Sequence, residues 1–213
     1  LEWQFYKDWR FAAHKDNAHY ELKMSKPKSS GNTGIQIVSS GPDSKWPSVK
    51  DGYFKMITNA RERIYIQSPY FIPDDSMLEA LRVAGLSGLD VKIMIPCKPD
   101  HPFVYWAGMS YIGELLEAGV KFYTYENGFL HSKLFLMDDF VTSIGTANLD
   151  IRSFKLNFEV NAFIYDEEVN RKIAEQFHKD LKYCNEITME QYKKRSGIVK
   201  LKESVSRLLS PIL

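Results

Sequence analysis

Eighteen residues from position 131, HSKLFLMDDFVTSIGTAN, set a histidine, a lysine, an aspartate, a glycine and an asparagine around two short apolar runs. On a strand, His131 and Lys133 project from the same face, so an imidazole and an ammonium share one small volume. An imidazole changes protonation near neutral pH and serves as nucleophile or proton carrier, and a lysine beside it supplies positive charge. A lone H-x-K is ordinarily an edge histidine next to a solvated lysine. Asp138, Gly145 and Asn148 at fixed further spacing shift that balance: average residue usage would produce the whole pattern in fewer than about one chain in ten thousand.

The elements that must hold these groups read as an α/β fold. From Ile35 onward, the short runs IQIVSS, RIYIQS, VKIMIP and VKFYTY alternate with helical stretches around residues 53–60, from about Asp74, and over 103–117. Such alternation predicts a sheet covered by helices on both faces. KLFLMD and VTSIG are separated only by Asp139 and Phe140, too few residues for a crossover helix, so they form an antiparallel hairpin and the sheet is mixed. FEVNAFIY adds a strand, and a helix over about 167–183 follows. Near the start, Trp3, Tyr6, Lys7 and Arg10 lie at helical spacing. The expected units are a lead-in helix over 1–22, a polar linker over 23–34, a lobe over 35–188 and a basic amphipathic tail over 189–213.

With 44% hydrophobic residues in 213, the chain can bury a core as one domain. Its 28 basic and 27 acidic residues nearly cancel, which argues against nucleic acid as a partner. Cys97 and Cys184 are too few for a disulfide framework or a zinc site and fit a reducing compartment. No run of eighteen apolar residues is present to span a membrane. The opening LEWQFYKDWRFAA has neither an initiator methionine nor a signal-peptide pattern, and reads as a piece of a longer protein.

H-x-K-x4-D followed after six residues by G-T-x-N resembles the signature of the phospholipase D superfamily, carried here by His131, Lys133, Asp138, Gly145, Thr146 and Asn148. Thr146 stands where serine is usual and keeps the hydroxyl. Glu159, in NFEVN, falls where that family has an acidic residue orienting a catalytic histidine. Longer stretches, among them QSPYFIPDDSMLEAL, LLEAGVKFYTY and GTANLDIRSFKLNFEV, look like the second half of bacterial cardiolipin synthases within that superfamily. The resemblance implies a phospholipase D-like lobe and transfer of a phosphatidyl group between two phosphatidylglycerol molecules, giving cardiolipin and glycerol, with no metal and no cofactor.

The residue types suit that chemistry. A phosphodiester's charge repels an oxygen nucleophile, so a metal-free site needs positive charge and hydrogen-bond donors at the nonbridging oxygens, which Lys133 and Asn148 supply. A neutral imidazole attacks phosphorus to give a phosphohistidine while a second protonates the leaving alkoxide. The motif's catalytic set is then His131, Lys133, Asp138, Asn148 and Glu159, with Asp138, at a strand end, in a structural role. Gly145, Thr146, Tyr70 and His101 are the expected substrate contacts, Tyr70 in a loop after a strand and His101 at the start of the aromatic stretch HPFVYWAGMSY.

The family draws its two histidines from two motifs, and this sequence has one. His14-Lys15-Asp16 lacks the spacing and falls on a predicted helix. The second imidazole is expected from an N-terminal half, which in the family also carries membrane-spanning helices, or from a second copy in a homodimer. The expected location is the cytoplasmic face of a bacterial cell membrane, with phosphatidylglycerol and the anionic surface as partners. Residues 191–213 carry six basic residues against one acidic, with Leu201, Val205, Leu208 and Ile212 at helical spacing. That pattern suits an anionic bilayer interface, where each basic residue adds roughly 1 kcal/mol, or packing on the lobe itself. A hydrolytic phospholipase D, a phosphodiester-cleaving nuclease and a non-catalytic membrane-binding half-site are the alternatives.

Overall fold

The computed structural model describes residues 1–14, 31–98 and 100–210. In chain order the elements are α1 (Glu2–Ala13), β1 (Gly34–Ser40), α2 (Ser48–Asn59), β2 (Arg63–Gln67), β3 (Phe71–Ile72), α3 (Asp75–Leu86), β4 (Asp90–Pro96), α4 (Pro102–Glu117) and β5 (Lys121–Tyr125). They continue as β6 (Leu134–Met137), β7 (Val141–Gly145), β8 (Leu149–Asp150), α5 (Ile151–Lys155), β9 (Glu159–Tyr165), α6 (Glu167–Leu181), β10 (Cys184–Ile187), α7 (Met189–Lys193) and α8 (Gly197–Leu208).

Eight strands form one mixed sheet in the order β1-β9-β7-β6-β2-β4-β5-β10, and β3 pairs with β8 in a separate two-stranded sheet. The pairs β2·β4 and β4·β5 are parallel, and the remaining pairs of the large sheet are antiparallel. Side-chain alternation along the central strands decides which helices cover which face. Ile64, Ile66, Ile93, Ile95, Phe135 and Met137 join the core with residues of α2, α3 and α4, whereas Tyr65, Met94, Leu134 and Leu136 pack with Phe177 of α6 on the other. The hairpin and the two-sided helical cover are those expected from the sequence.

Local signals fix where helices begin. Asp74 caps α3 by accepting from the Met77 amide (3.0 Å), Asp166 caps α6 through Val169 (3.0 Å), and Pro102 opens α4. In α4, a side-chain carbon at Gly113 would lie 2.4 Å from the Tyr192 ring, so the missing side chain lets α7 dock there. Tyr192 then donates to the carbonyl of Met109 (2.9 Å). The strands β3, β8 and β10 were not among the expected elements. β1 begins at Gly34, within the stretch read as linker, and residues 15–22 of the expected lead-in helix and 23–30 of the linker lie outside the described residues. Among the described residues, no helix is long and apolar enough to cross a membrane.

Candidate active site

The C-terminal ends of β2, β4 and β7 and the N-terminal ends of β6 and β9 lie at one end of the sheet, as the pairings Gln67↔Leu134, Leu134↔Ile144 and Gly145↔Asn161 show. Open α/β sheets place ligands beyond the carboxyl ends of their parallel strands. Tyr70 follows β2, Asp100 and His101 follow β4, and the motif's His131 and Lys133 enter β6 from the same end. The expectation that His131 and Lys133 lie on a strand is corrected: β6 begins at Leu134, and both precede it in the segment leading in. Lys133 folds its ammonium back onto the carbonyl of His131 (2.9 Å). His131 itself is exposed, its ring 5.8 Å from that of Phe129, with no hydrogen bond to the ring among the described residues.

Behind these two residues the site is buried and acidic. Desolvation lowers the Lys133 pKa, and the carboxylates of Glu159, Asp150 and Asp100 offset part of that effect. Asp150 is buried and its pKa is raised by desolvation against bonds from Ser153 and Asn148. It also caps α5 by accepting from the Ser153 amide (2.6 Å). Asn148 is buried, and its side-chain oxygen has no hydrogen-bond partner among the described residues. Glu159 is buried at the start of β9, and its hydrogen-bond partner among the described residues is Asn157 (3.2 Å), not His131.

A cleft of about 420 Å³ opens beside these groups, its walls including Tyr70, His101, Phe103, Asn148, Asp150 and Arg152. Tyr70 donates to Asp100 (2.5 Å), and burial together with that bond pushes its hydroxyl pKa up to about 12, so it stays a hydrogen-bond donor at neutral pH. Tyr70 and His101 are thus brought together with Asn148. Arg152, which the sequence reading passed over, adds an exposed guanidinium without an ion pair among the described residues. A larger cavity of about 770 Å³, between α2, β1 and the β6–β7 turn, has Asp138 on its wall and none of His131, Lys133 or Asn148.

Three motif residues prove to be builders of the backbone. Asp138, grouped with the catalytic set, stands at the other end of β6 from His131, where its carboxylate accepts from the amides of Arg61 (3.1 Å), Glu62 (3.0 Å) and Arg63 (2.9 Å). Gly145, expected at the substrate, is glycine for packing: a side-chain carbon there would lie 2.3 Å from the Val160 carbonyl oxygen and 2.5 Å from the Asn161 side chain. Thr146, also expected at the substrate, uses its hydroxyl to accept from the Val160 amide (2.9 Å), tying the turn to β9. Gly145→Ala is therefore expected to destabilise the lobe by roughly 1–3 kcal/mol or to prevent folding, read as a fall in the urea midpoint.

A buried network that the sequence reading missed holds the turn bearing Asn148. Asn161 donates to Tyr53 Oη (2.8 Å) and Ser143 Oγ (2.9 Å) and accepts from the Ala147 amide (3.3 Å), while Tyr53 donates to the Ala147 carbonyl (3.3 Å). Ser68 ties the loop before Tyr70 to the same turn by accepting from Leu149 (3.0 Å) and donating to the carbonyl of Tyr70 (2.6 Å). The signal available was the buried polar face of NFEVN, where Asn161 follows Glu159 by two residues.

This mixed sheet, with a histidine, lysine and asparagine at one end, is the phospholipase D-like fold. It aligns with the phospholipase D family member Nuc from Salmonella typhimurium at TM-score 0.62 and 19% identity, covering 74% of this chain and 99% of that one. It aligns with the phosphatidylserine synthase of Haemophilus influenzae at 0.68 and 14%, covering 85% and 48%. The family model described as "Cardiolipin synthase, PLD-like domain" matches residues 53–181, and the chain belongs to that family. Along its whole length it is 56% identical to cardiolipin synthase 2 of Staphylococcus epidermidis and 55% identical to the major cardiolipin synthase ClsA of Bacillus subtilis. In each case the chain spans 44% of the relative's length.

Proposed function

We propose that this lobe is one half of the active site of a cardiolipin synthase, transferring a phosphatidyl group between two phosphatidylglycerol molecules at the cytoplasmic face of a membrane. The observation that carries the reading is a pair of unmatched groups. Among the described residues, His131 stands exposed with no carboxylate hydrogen-bonded to its ring, while Glu159 is buried with no imidazole hydrogen-bonded to it. A second lobe facing this one would give each its partner, supplied by an upstream half that bears the other motif or by a second copy.

In this scheme one imidazole attacks phosphorus and the bond to the glycerol oxygen breaks. The second histidine, protonated, gives its proton to the leaving alkoxide. The same histidine then takes the proton from a hydroxyl of the second phosphatidylglycerol as that oxygen attacks the phosphohistidine. Cardiolipin leaves, and both imidazoles return to their starting states. One phosphodiester replaces another, so no nucleotide is needed. Lys133 and the Asn148 amide serve the nonbridging oxygens, and burial around Lys133 strengthens its electrostatic contribution.

Mass-spectrometric detection of cardiolipin from phosphatidylglycerol vesicles tests the reading. The chain alone, as a monomer, is expected to form none, and the chain combined with an upstream half is expected to form it. Turnover by a strict monomer would sink the two-histidine account, and phosphatidic acid as main product would favour the hydrolytic alternative. A pH dependence follows from Lys133. The protonated histidine sets the first alkaline fall of kcat/KM, and Lys133, whose lowered pKa makes it shed its proton at lower pH than an unburied lysine, is expected to add a second fall below the ordinary lysine range. Lys133→Arg should remove that second fall and leave the first.

A further inference from the structure

The helix α8 is folded with its polar side inward. Its one carboxylate, Glu203, is buried and accepts twice from Arg195 (2.6 and 2.5 Å), and Ser206 is buried beside it. Ile198, Leu201, Val205 and Leu208, at steps of three, four and three residues, are 48–81% exposed. A surface helix ordinarily does the reverse. The orientation is held by contacts to α4: Arg207 lies over the Tyr111 ring (4.3 Å) and Lys202 over the Trp106 ring (5.2 Å).

Two features say what this face meets. With Glu203 turned inward, the exposed side of α8 carries Lys200, Lys202 and Arg207 and no exposed carboxylate, so apolar and cationic groups are presented together. The face also runs into the candidate site. Its groove, about 330 Å³, is lined by Pro102, Phe103, Trp106, Leu201 and Val205, and Pro102 and Phe103 are at the same time walls of the cleft that holds Asn148. Phe103 is exposed at that junction.

We propose that the exposed side of α8, with Phe103 and Trp106 of α4, is the seat of the lobe on an anionic phospholipid bilayer, and that the Pro102–Phe103 turn is the lip over which a lipid enters the cleft. The inference rests on the lipid-directed reading of that cleft. Apolar side chains inserted at the headgroup boundary, cations among anionic headgroups and aromatic rings at the interface are the three elements such a seat requires.

Co-sedimentation of the 213-residue chain with vesicles of phosphatidylglycerol or of phosphatidylcholine tests it. Binding is expected to be at least tenfold tighter to phosphatidylglycerol and to weaken as salt rises. Leu201→Gln/Val205→Gln should weaken it at least tenfold, and Lys200→Gln, which leaves the Lys202–Trp106 contact in place, should lessen its salt dependence. Phe140→Gln, an exposed aromatic on the β6–β7 turn, should leave it unchanged. These side chains are solvent-exposed, so folding is preserved and circular dichroism verifies it. Equal binding by Leu201→Gln/Val205→Gln overturns the proposal, as does a chain that stops sedimenting with phosphatidylglycerol vesicles once an upstream half is bound. So does a dimer that the same double substitution converts to monomers, because the face is then a copy-to-copy interface. If vesicle binding is lost while the two-half enzyme still makes cardiolipin from vesicles at the unmodified rate, this proposal falls and the reading of the site stands. If vesicle binding is kept and no cardiolipin is formed, the reading of the site falls and the bilayer seat stands.

Discussion

His131→Ala is expected to lower cardiolipin formation by the two-half enzyme by roughly 10⁴-fold or more while leaving the lobe folded. Removing a nucleophile or its proton partner from a covalent mechanism eliminates the pathway and leaves only the residual advantage of binding and electrostatics. The stability side of the argument rests on exposure. Among the described residues the His131 ring has one aromatic neighbour, Phe129 at 5.8 Å, and no hydrogen bond to break, so the substitution belongs with surface changes worth about 0.5 kcal/mol or less. Lys133→Met, which keeps the length of the side chain and removes its charge, should slow turnover less, by on the order of 10²–10³-fold, because it removes one source of electrostatic stabilisation. Matched urea midpoints with product assays on all three proteins decide the matter. Product formation by His131→Ala within tenfold of the unmodified enzyme would show that His131 neither attacks phosphorus nor carries the proton.

The sequence disclosed the groups proposed for the chemistry better than the groups that hold them. His131, Lys133, Asn148 and Glu159 were legible because their types and spacings are local to one short segment. Tyr53, Ser143 and Asn161 were not, since the pairing of Tyr53 with Asn161 is made by a helix and a strand that meet only when the sheet assembles. The central strands were legible because they alternate between two buried faces, as Ile64, Tyr65 and Ile66 do. β3 and β8 have two residues each and carry no periodicity. β10, with sequence CNEI, is an edge strand paired among the described residues to β5 alone, and it lacks the apolar run that marks a buried one. For α8 the helical spacing of Leu201, Val205 and Leu208 was visible, but such spacing ordinarily points an apolar stripe inward. The buried pair of Arg195 and Glu203 reverses it here.

Asp138→Ala is expected to destabilise the lobe by roughly 3–4 kcal/mol, while the folded enzyme turns over within a few-fold of the unmodified rate. Two physical terms add. Three backbone amides, from Arg61, Glu62 and Arg63, lose a charged acceptor, and water reaches the first two more readily than the third. Alanine must also occupy φ +51°, which costs roughly 1–2 kcal/mol for a residue with a side-chain carbon and no local hydrogen bond in return. The two terms separate in a series. Asp138→Asn keeps one acceptor oxygen and tolerates the left-handed conformation, so it should lose the least; Asp138→Gly relieves the strain and keeps no acceptor, so it should fall between asparagine and alanine. Distance sets the functional half of the prediction, because the four residues of β6 alone separate Asp138 from the site end by about 13 Å. Urea midpoints in the order aspartate, asparagine, glycine, alanine would establish the carboxylate as the clamp between the β6–β7 turn and the start of β2. Turnover slowed by roughly a thousandfold in a variant that is fully folded would instead make Asp138 part of the chemistry.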